Sequence, residues 1–528
     1  MMHPSAHIDT FTRDNLPPEN EWPVFSQSLP SLVYPPRLNC VDPLLDRHVR
    51  EGRGDRIAVR SLDETWTYAE LQSQVNRIAS ILLVRHGIEP GNRVLLRFPN
   101  SPFSAACYLA VLKCGAVAVP TMPMLRAAEL RTITDKAQVC CAIVETRLAD
   151  ELGGLGLDTL LLSDDLKDQL GNADSQFETV QTASDDVALI AFTSGTTGQP
   201  KGCMHFHADV MSMCKTFSEQ VLKPTADDVF IGSPPLAFTF GLGGLLTFPL
   251  YVGASTVLLE NAAPPLLAEA IEATRATICF TAPTAYKILL ADDHLSKLSS
   301  LRIAVSAGEH LPKPVYLEWT ERTGISMIDG IGATEIIHIF LSMTGEGDKP
   351  GSTGVPVPGY EIRIVDDALE DVAVGEPGLL ALRGPTGCKY LSDSRQTDYV
   401  KDGWNLTGDV FFCDEDGHYW FVARGDDMII CAGYNISGPE VEQALLGHTA
   451  VAECAVVAAA DEERGHVPKA FIVLAAGKEA SGSLTTELQE YVKQAIAPYK
   501  YPRAIEYIDA LPKTQTGKIQ RFALRQSS

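Results

Sequence analysis

The sequence predicts an α/β protein with a large N-terminal domain of packed sheets and helices and a small α/β C-terminal domain. Three observations predict it. At 528 residues the chain exceeds what one hydrophobic core organises. Strand-like and helix-like stretches alternate along it, which calls for largely parallel strands. Near residue 425 the polar run Arg424-Gly425-Asp426-Asp427 interrupts the pattern before a fresh alternation begins. The division therefore falls at 1–424 and 425–528.

The elements follow in order. The first 60 residues are rich in proline and show no clear periodicity. Thr67 then caps a helix that places Leu71, Val75, Ile78 and Leu82 on one face, and Gly87 ends it. Residues 93–98 read as a strand, 102–113 as a helix stopped by Gly115, and 116–120 as the next strand. Residues 187–192 form a short apolar strand that leads into a glycine-rich loop. Further strands are expected at 256–259, 278–281 and 302–306, the last two followed by loops of Gly, Pro and polar residues. Ligands in open α/β sheets bind beyond the carboxyl ends of the strands. After residue 425, 451–459 and 505–508 read as strands and 485–496 as a helix.

Composition narrows the function class. A formal net charge of −24 repels nucleic-acid backbones and anionic membranes, so neither is an expected partner. No apolar run reaches the length of a membrane span, and residues 1–20 lack the basic-then-apolar pattern of a signal peptide, so the expected compartment is the cytoplasm. The 12 cysteines are scattered without a C-x-x-C pair, which suits reduced, mostly buried thiols. His205 and His207, spaced i, i+2 without a cysteine or carboxylate set, give little support for zinc.

The strongest motif is Thr193-Ser194-Gly195-Thr196-Thr197-Gly198-Gln199-Pro200-Lys201-Gly202, directly after an apolar strand. Small residues let backbone amides approach phosphate oxygens, hydroxyls donate to them, and Lys201 adds positive charge. The Walker A spacing does not fit it, and Ser194 lacks the G-x-S-x-G context of a hydrolase elbow.

This loop resembles the signature of the acyl-adenylate-forming superfamily, and the resemblance runs from about Asp46 to the C-terminus through further motifs in the expected order. It implies ATP, Mg²⁺ and coenzyme A as cofactors. In Gly330-Ile331-Gly332-Ala333-Thr334-Glu335 it assigns Thr334 to nucleotide phosphate and Glu335 to the metal. Alone, a Thr-Glu pair is a common helix start. Many relatives carry an aromatic residue at the position of Ile331, which here offers adenine only an aliphatic face. Gly308, Glu309, Asp329 and Gly330 fall in the same nucleotide-binding set. In Trp404-Asn405-Leu406-Thr407-Gly408-Asp409, Asp409 matches a ribose-binding carboxylate. Arg424 matches a nucleotide contact, Asp426 the hinge of a small mobile domain, and Gly433 borders the path of the CoA thiol. In Pro512-Lys513-Thr514-Gln515-Thr516-Gly517-Lys518, Lys518 matches a lysine that enters the closed site during adenylation.

The implied chemistry has two steps, acyl-AMP formation with release of pyrophosphate and then thioester formation with CoA. Lys201, Thr334, Glu335 and Lys518 are the expected catalytic residues. Phe238, Thr239, Phe240, Gly332, His338 and Ile339 are the expected substrate-binding residues. The run 329–340, Ser306-Ala307-Gly308-Glu309 and Pro498-Tyr499-Lys500-Tyr501-Pro502 resemble benzoate-CoA ligases, and residues 9–18 resemble 2-aminobenzoate-CoA ligases. The implied substrate is therefore an aryl carboxylic acid. A homodimer is compatible with this reading. Two alternatives stay open: an enzyme that loads a carrier protein, and a noncatalytic nucleotide-binding relative.

Overall fold

The computed structural model describes residues 2–26, 28–157, 159–193, 200–345, 347–425, 428–431, 434–461, 465–496, 498–513 and 519–526. Two mainly parallel sheets form the body. In the larger, the strands Ser255–Val257, Val229–Gly232, Ile278–Thr281, Ile303–Ala307 and Ser326–Gly332 lie side by side and parallel. Ile57–Arg60 continues it in parallel, and Thr65–Thr67 closes that edge antiparallel. Ile339–Ser342 and Val355–Pro356 close the other edge antiparallel. The second sheet has the order Thr159–Leu162, Cys141–Val144, Arg93–Arg97, Val117–Thr121, Val187–Thr193, all parallel, with Lys201–Phe206 antiparallel at its end.

The helices form where their local chemistry directs. Thr67 and Glu70 make a reciprocal capping box that opens Tyr68–Ser80, with Leu71, Val75 and Ile78 buried. Ser101 caps Pro102–Lys113, with Pro102 at the first turn. Every residue of that helix is buried, as expected for one that is apolar all round. Its single charge, Lys113, is paired with Asp46 at 2.6 Å. The expected terminators Gly87 and Gly115 both adopt positive φ.

A third sheet escaped the sequence reading. It is antiparallel, in the order Glu361–Val365, Gly378–Arg383, Trp404–Cys413, Val400–Lys401, with Tyr419–Arg424 paired to Trp404–Cys413. The first 60 residues, featureless by periodicity, are tied to the body by polar contacts. Arg13 donates to Asp185 and Asp186, and Gln396 donates to the carbonyl of Glu21.

After Arg424 a separate sheet begins at Met428–Cys431. Val451–Asp461 pairs antiparallel with Gly465–Leu474, and Ala504–Tyr507 adds in parallel. The helix expected at 485–496 starts earlier, at Gly482, because Ser481 supplies the cap. These elements enclose their own core, with Ile429, Ile436, Val441, Leu445, Val456, Ile472 and Leu488 in it. The fold is thus a large N-terminal domain followed by a small α/β domain, as expected. All 12 cysteines are free thiols, and ten of them are buried.

Candidate active site

The antiparallel strands Val187–Thr193 and Lys201–Phe206 place Thr193 opposite Lys201. The Thr193 hydroxyl is buried without a hydrogen-bond partner among the described residues. Ser194, Gly195, Thr196, Thr197 and Gly198 lie outside the described residues, as do Asp426, Gly433 and Lys518.

Lys201 and Glu335 converge from different sheets. Glu335 stands in the short turn Thr334–Ile336, which follows the strand Ser326–Gly332. Lys201 Nζ lies 3.5 Å from Glu335 Oε1. Tyr390 bridges the pair, accepting from Lys201 Nζ at 2.7 Å and donating to Glu335 Oε1 at 2.5 Å. The lysine ammonium lies over the rings of Tyr390 and Tyr399, at 4.7 and 5.8 Å from their centroids. Burial, then the charge of Glu335, pushes the Tyr390 hydroxyl far above its ordinary range, so it keeps its proton. Tyr399 Oη is buried and unpartnered among the described residues, and its pKa is raised by burial and by Glu335.

Behind this group, the His205 ring donates from Nε2 to the Thr334 carbonyl at 2.7 Å. Asp209 lies 3.7 Å from the other ring nitrogen and accepts from the fully buried Lys389 at 3.0 Å. Burial opposes charge on His205, but Cys203 and Asp209 raise its pKa above the usual imidazole value. No group of three His, Cys, Asp or Glu able to hold a metal occurs among the described residues.

The ends of the parallel strands supply a second wall. Ser306 pairs with Asp329 across adjacent strands, and each keeps a buried oxygen without a partner among the described residues. Burial pushes the Asp329 carboxyl up to about 8, against smaller opposing effects of Ser306 and the Gly330 amide. Beyond Ser306, a Cβ added at Gly308 would meet nothing within 4 Å among the described residues other than its chain neighbours. Glu309 accepts from Thr284 at 2.7 Å. Ile331 is partly buried against the core. Asp409, 5% exposed, sits opposite Arg424 on the third sheet and is 3.1 Å from its guanidinium.

Two of the expected substrate residues, His338 and Phe240, lie in an aromatic cluster with Phe217 and Phe248. His338 is 2% exposed, and both ring nitrogens lack hydrogen-bond partners among the described residues. Its ring centroid lies 4.6 Å from Phe248, 5.3 Å from Phe217 and 5.9 Å from Phe240. Burial lowers its pKa to about 3, with the Phe240 carbonyl offsetting only part, so the imidazole is neutral. Ile337, immediately before it, holds φ at +70°, a strained value for a β-branched residue. Gly332 passes so close to the His338 carbonyl that an added Cβ would stand 2.7 Å from its oxygen. Ile339 is buried in the same core, Thr239 is buried, and Phe238 is partly buried. Sequence reasoning missed Tyr390, Tyr399 and the His205–Asp209–Lys389 group. The isolated bridge Cys203–Tyr390 that brings Tyr390 to Lys201 carries no local signature.

The chain belongs to the AMP-binding enzyme family, whose pattern matches residues 45–390, with the family's C-terminal domain at 440–518. It is 36% identical to the benzoate–CoA ligase of Thauera aromatica over 95% of this chain and 98% of that protein. The crystal structure of the anthranilate CoA ligase AuaEII with anthranoyl-AMP superposes with a TM-score of 0.89 at 35% identity, covering 94% of this chain and 98% of that one. A benzoate CoA ligase from Burkholderia xenovorans LB400 gives 0.86 at 32% identity, covering 92% and 100%.

Proposed function

We propose that the protein is an AMP-forming aryl carboxylic acid–CoA ligase of the benzoate or 2-aminobenzoate class. The observation that carries this reading is the convergence of Lys201 and Glu335, with Glu335 in the turn Thr334–Ile336 that leads directly to His338 and its aromatic neighbours. The similarity to aryl acid–CoA ligases over nearly the whole chain supports it.

In the first step an acid carboxylate oxygen bonds to the α-phosphorus of ATP, and the bond to the bridging oxygen breaks to release pyrophosphate. Lys201 and the donors of 193–198 stabilise the charge that develops on the phosphates. Thr334 donates to a phosphate oxygen. Gly308, Glu309, Asp329, Gly330 and Ile331 hold the base, and Asp409 with Arg424 the ribose side. Glu335 is a fitting ligand for Mg²⁺, which takes one or two carboxylates and completes its shell with water and phosphate oxygens. Bound there, the ion supplies Lewis-acid neutralisation of the phosphates. Phe238, Thr239, Phe240, Gly332, His338 and Ile339 enclose the aryl ring, and Lys518 bridges carboxylate and nucleotide.

In the second step the CoA sulfur bonds to the acyl carbon, the bond to the AMP oxygen breaks, and the thiol proton leaves to solvent. The small domain, with its boundary at 424/425 and hinge at Asp426, rotates between the steps and brings Gly433 to the thiol path. A homodimer and a cytoplasmic location fit the same reading. A panel of benzoate, 2-aminobenzoate, hydroxybenzoates, cinnamate, acetate and octanoate, scored by CoA-dependent AMP formation, tests it. Preference for an aryl acid is expected, and preference for an aliphatic acid refutes the substrate class.

A further inference from the structure

Tyr390 lies outside the family residues named above, yet among the described residues its hydroxyl touches both Lys201 and Glu335. The hydrogen-bond directions are fixed by chemistry. A lysine ammonium only donates and a carboxylate only accepts, whereas a phenol does both. The hydroxyl therefore bridges, from the side, opposite charges that already face each other as an ion pair at 3.5 Å, long for a direct charge-assisted hydrogen bond.

We propose that Tyr390 is a positioning residue for nucleotide activation: it holds the Lys201–Glu335 ion pair at its long separation and keeps the two from tightening into a direct charge-assisted hydrogen bond, so that each retains a face for the triphosphate and its divalent cation. The proposal rests on the roles given to Lys201 and Glu335 above.

The surroundings of Tyr390 suit that task, because its place is set before any ligand arrives. It is 1% exposed, and its ring packs edge-on against Tyr399 with centroids 5.9 Å apart. Its backbone N–H donates to Gln396 Oε1 at 2.9 Å. Gln396 is held in turn, donating from Nε2 to the carbonyls of Glu21 at 2.9 Å and Cys388 at 3.2 Å. The N-terminal segment thereby braces the tyrosine from outside the nucleotide site. Without the hydroxyl, the ammonium loses the partner that holds it back and closes from 3.5 Å to a short, direct hydrogen bond with the carboxylate. That contact would compete with phosphate for the lysine and with the cation for the glutamate.

Tyr390→Phe keeps the ring and its packing and removes only the bridging hydroxyl. Benzoate-dependent ATP–pyrophosphate exchange is expected to fall roughly tenfold to a hundredfold, the range for losing a hydrogen bond to charged groups. The Mg²⁺ concentration for half-maximal exchange should rise with it. Thioester formation from presynthesised benzoyl-AMP and CoA should stay within about twofold of wild type, because that half-reaction moves no triphosphate. A purely structural role would slow both half-reactions together. Wild-type exchange in Y390F, or equal loss in both half-reactions, overturns the proposal. Lys201→Ala and Glu335→Gln are measured alongside. If they too retain exchange, it is the reading of the site that has failed, and not the role of Tyr390 within it.

Discussion

Gly243→Ala offers the sharpest test of the aryl pocket. Gly243 has φ −63° and ψ −65°, which any residue adopts, so the substitution carries no backbone penalty and its effect is steric. The added Cβ would stand 2.4 Å from His338 Cδ2, 2.5 Å from Nε2 and 2.9 Å from Phe248 Cζ. Ordinary carbon contacts begin near ~3.5 Å, so the imidazole must retreat by roughly 1 Å. Phe217 and Phe248 are fully buried and block two directions. Phe240 is only partly buried, so the ring moves toward it and into the proposed pocket. Overpacking of this kind costs about 1–3 kcal/mol of stability. A misplacement near 1 Å beside a reacting substrate costs up to about a hundredfold in rate. We expect kcat/KM for benzoate to fall between about tenfold and a hundredfold while KM for ATP holds, with a ring-substituted acid losing more. Adding His338→Ala vacates the space the new methyl needs, so the double variant should recover activity relative to Gly243→Ala, a coupling that a thermodynamic cycle measures. A folded Gly243→Ala enzyme with wild-type kcat/KM for benzoate refutes the placement of His338 in the pocket, and so does strict additivity of the pair.

Three further outcomes are expected. Asp329 carries a folded-state pKa of about 8 against an ordinary carboxyl value of 3.8, so the folded protein binds a proton that the unfolded chain has lost. Stability attributable to this group therefore falls by up to ~1.4 kcal/mol per unit as pH rises from about 4 to 8. Thermal melts should show Asp329→Asn more stable than wild type at pH 8, with the gap narrower at pH 5.5 and smallest near pH 4; a constant gap argues against a protonated Asp329. Asp409→Asn should raise KM for ATP by about tenfold with little change in KM for benzoate, because it weakens the carboxylate partner of Arg424 and the proposed ribose contact; steady-state kinetics with each substrate varied decides. Lys518→Ala should slow pyrophosphate release far more than thioester formation from preformed benzoyl-AMP, and pyrophosphate release at the wild-type rate refutes its role in adenylation.

How much the sequence disclosed depended on whether the signal was local. The helix Pro102–Lys113 was legible, because its apolar run and the terminating Gly115 lie close together in the chain. The strand Ile278–Thr281 was legible for the same reason, as a short apolar run bounded by loop residues. The third sheet was not, although Trp404–Cys413 alternates buried and half-buried residues along its first half. Its register shifts at a bulge, and Thr407-Gly408-Asp409 falls inside it, so a polar turn signature masks the period of two. The pair Thr334-Glu335 satisfies both of its readings at once. It opens a helical turn, as the local preference says, and that turn is what delivers Glu335 to Lys201.

The site itself was legible only where a motif keeps its members close in the chain. Lys201, Glu335 and Asp409 each sit in such a run, but what brings the first two together does not. Tyr390 is 189 residues from Lys201 and 55 from Glu335, and it reaches both from a segment outside any named strand. His205 shows the same lesson from the opposite side. Its i, i+2 partner His207 made it a candidate for a metal, set aside on that spacing and the absence of a cysteine or carboxylate set, and its ring instead braces the Thr334 carbonyl. Both residues act through a second chain segment whose approach is set by tertiary packing: the bridge from Cys203 to Tyr390 for one, and the close of the Ser326–Gly332 strand into its turn for the other. The supporting contacts of this site are therefore visible only once the sheets are assembled, whereas the residues they support are written in the motifs. Substitutions such as Tyr390→Phe probe that supporting layer, and comparison of motifs alone would leave it unseen.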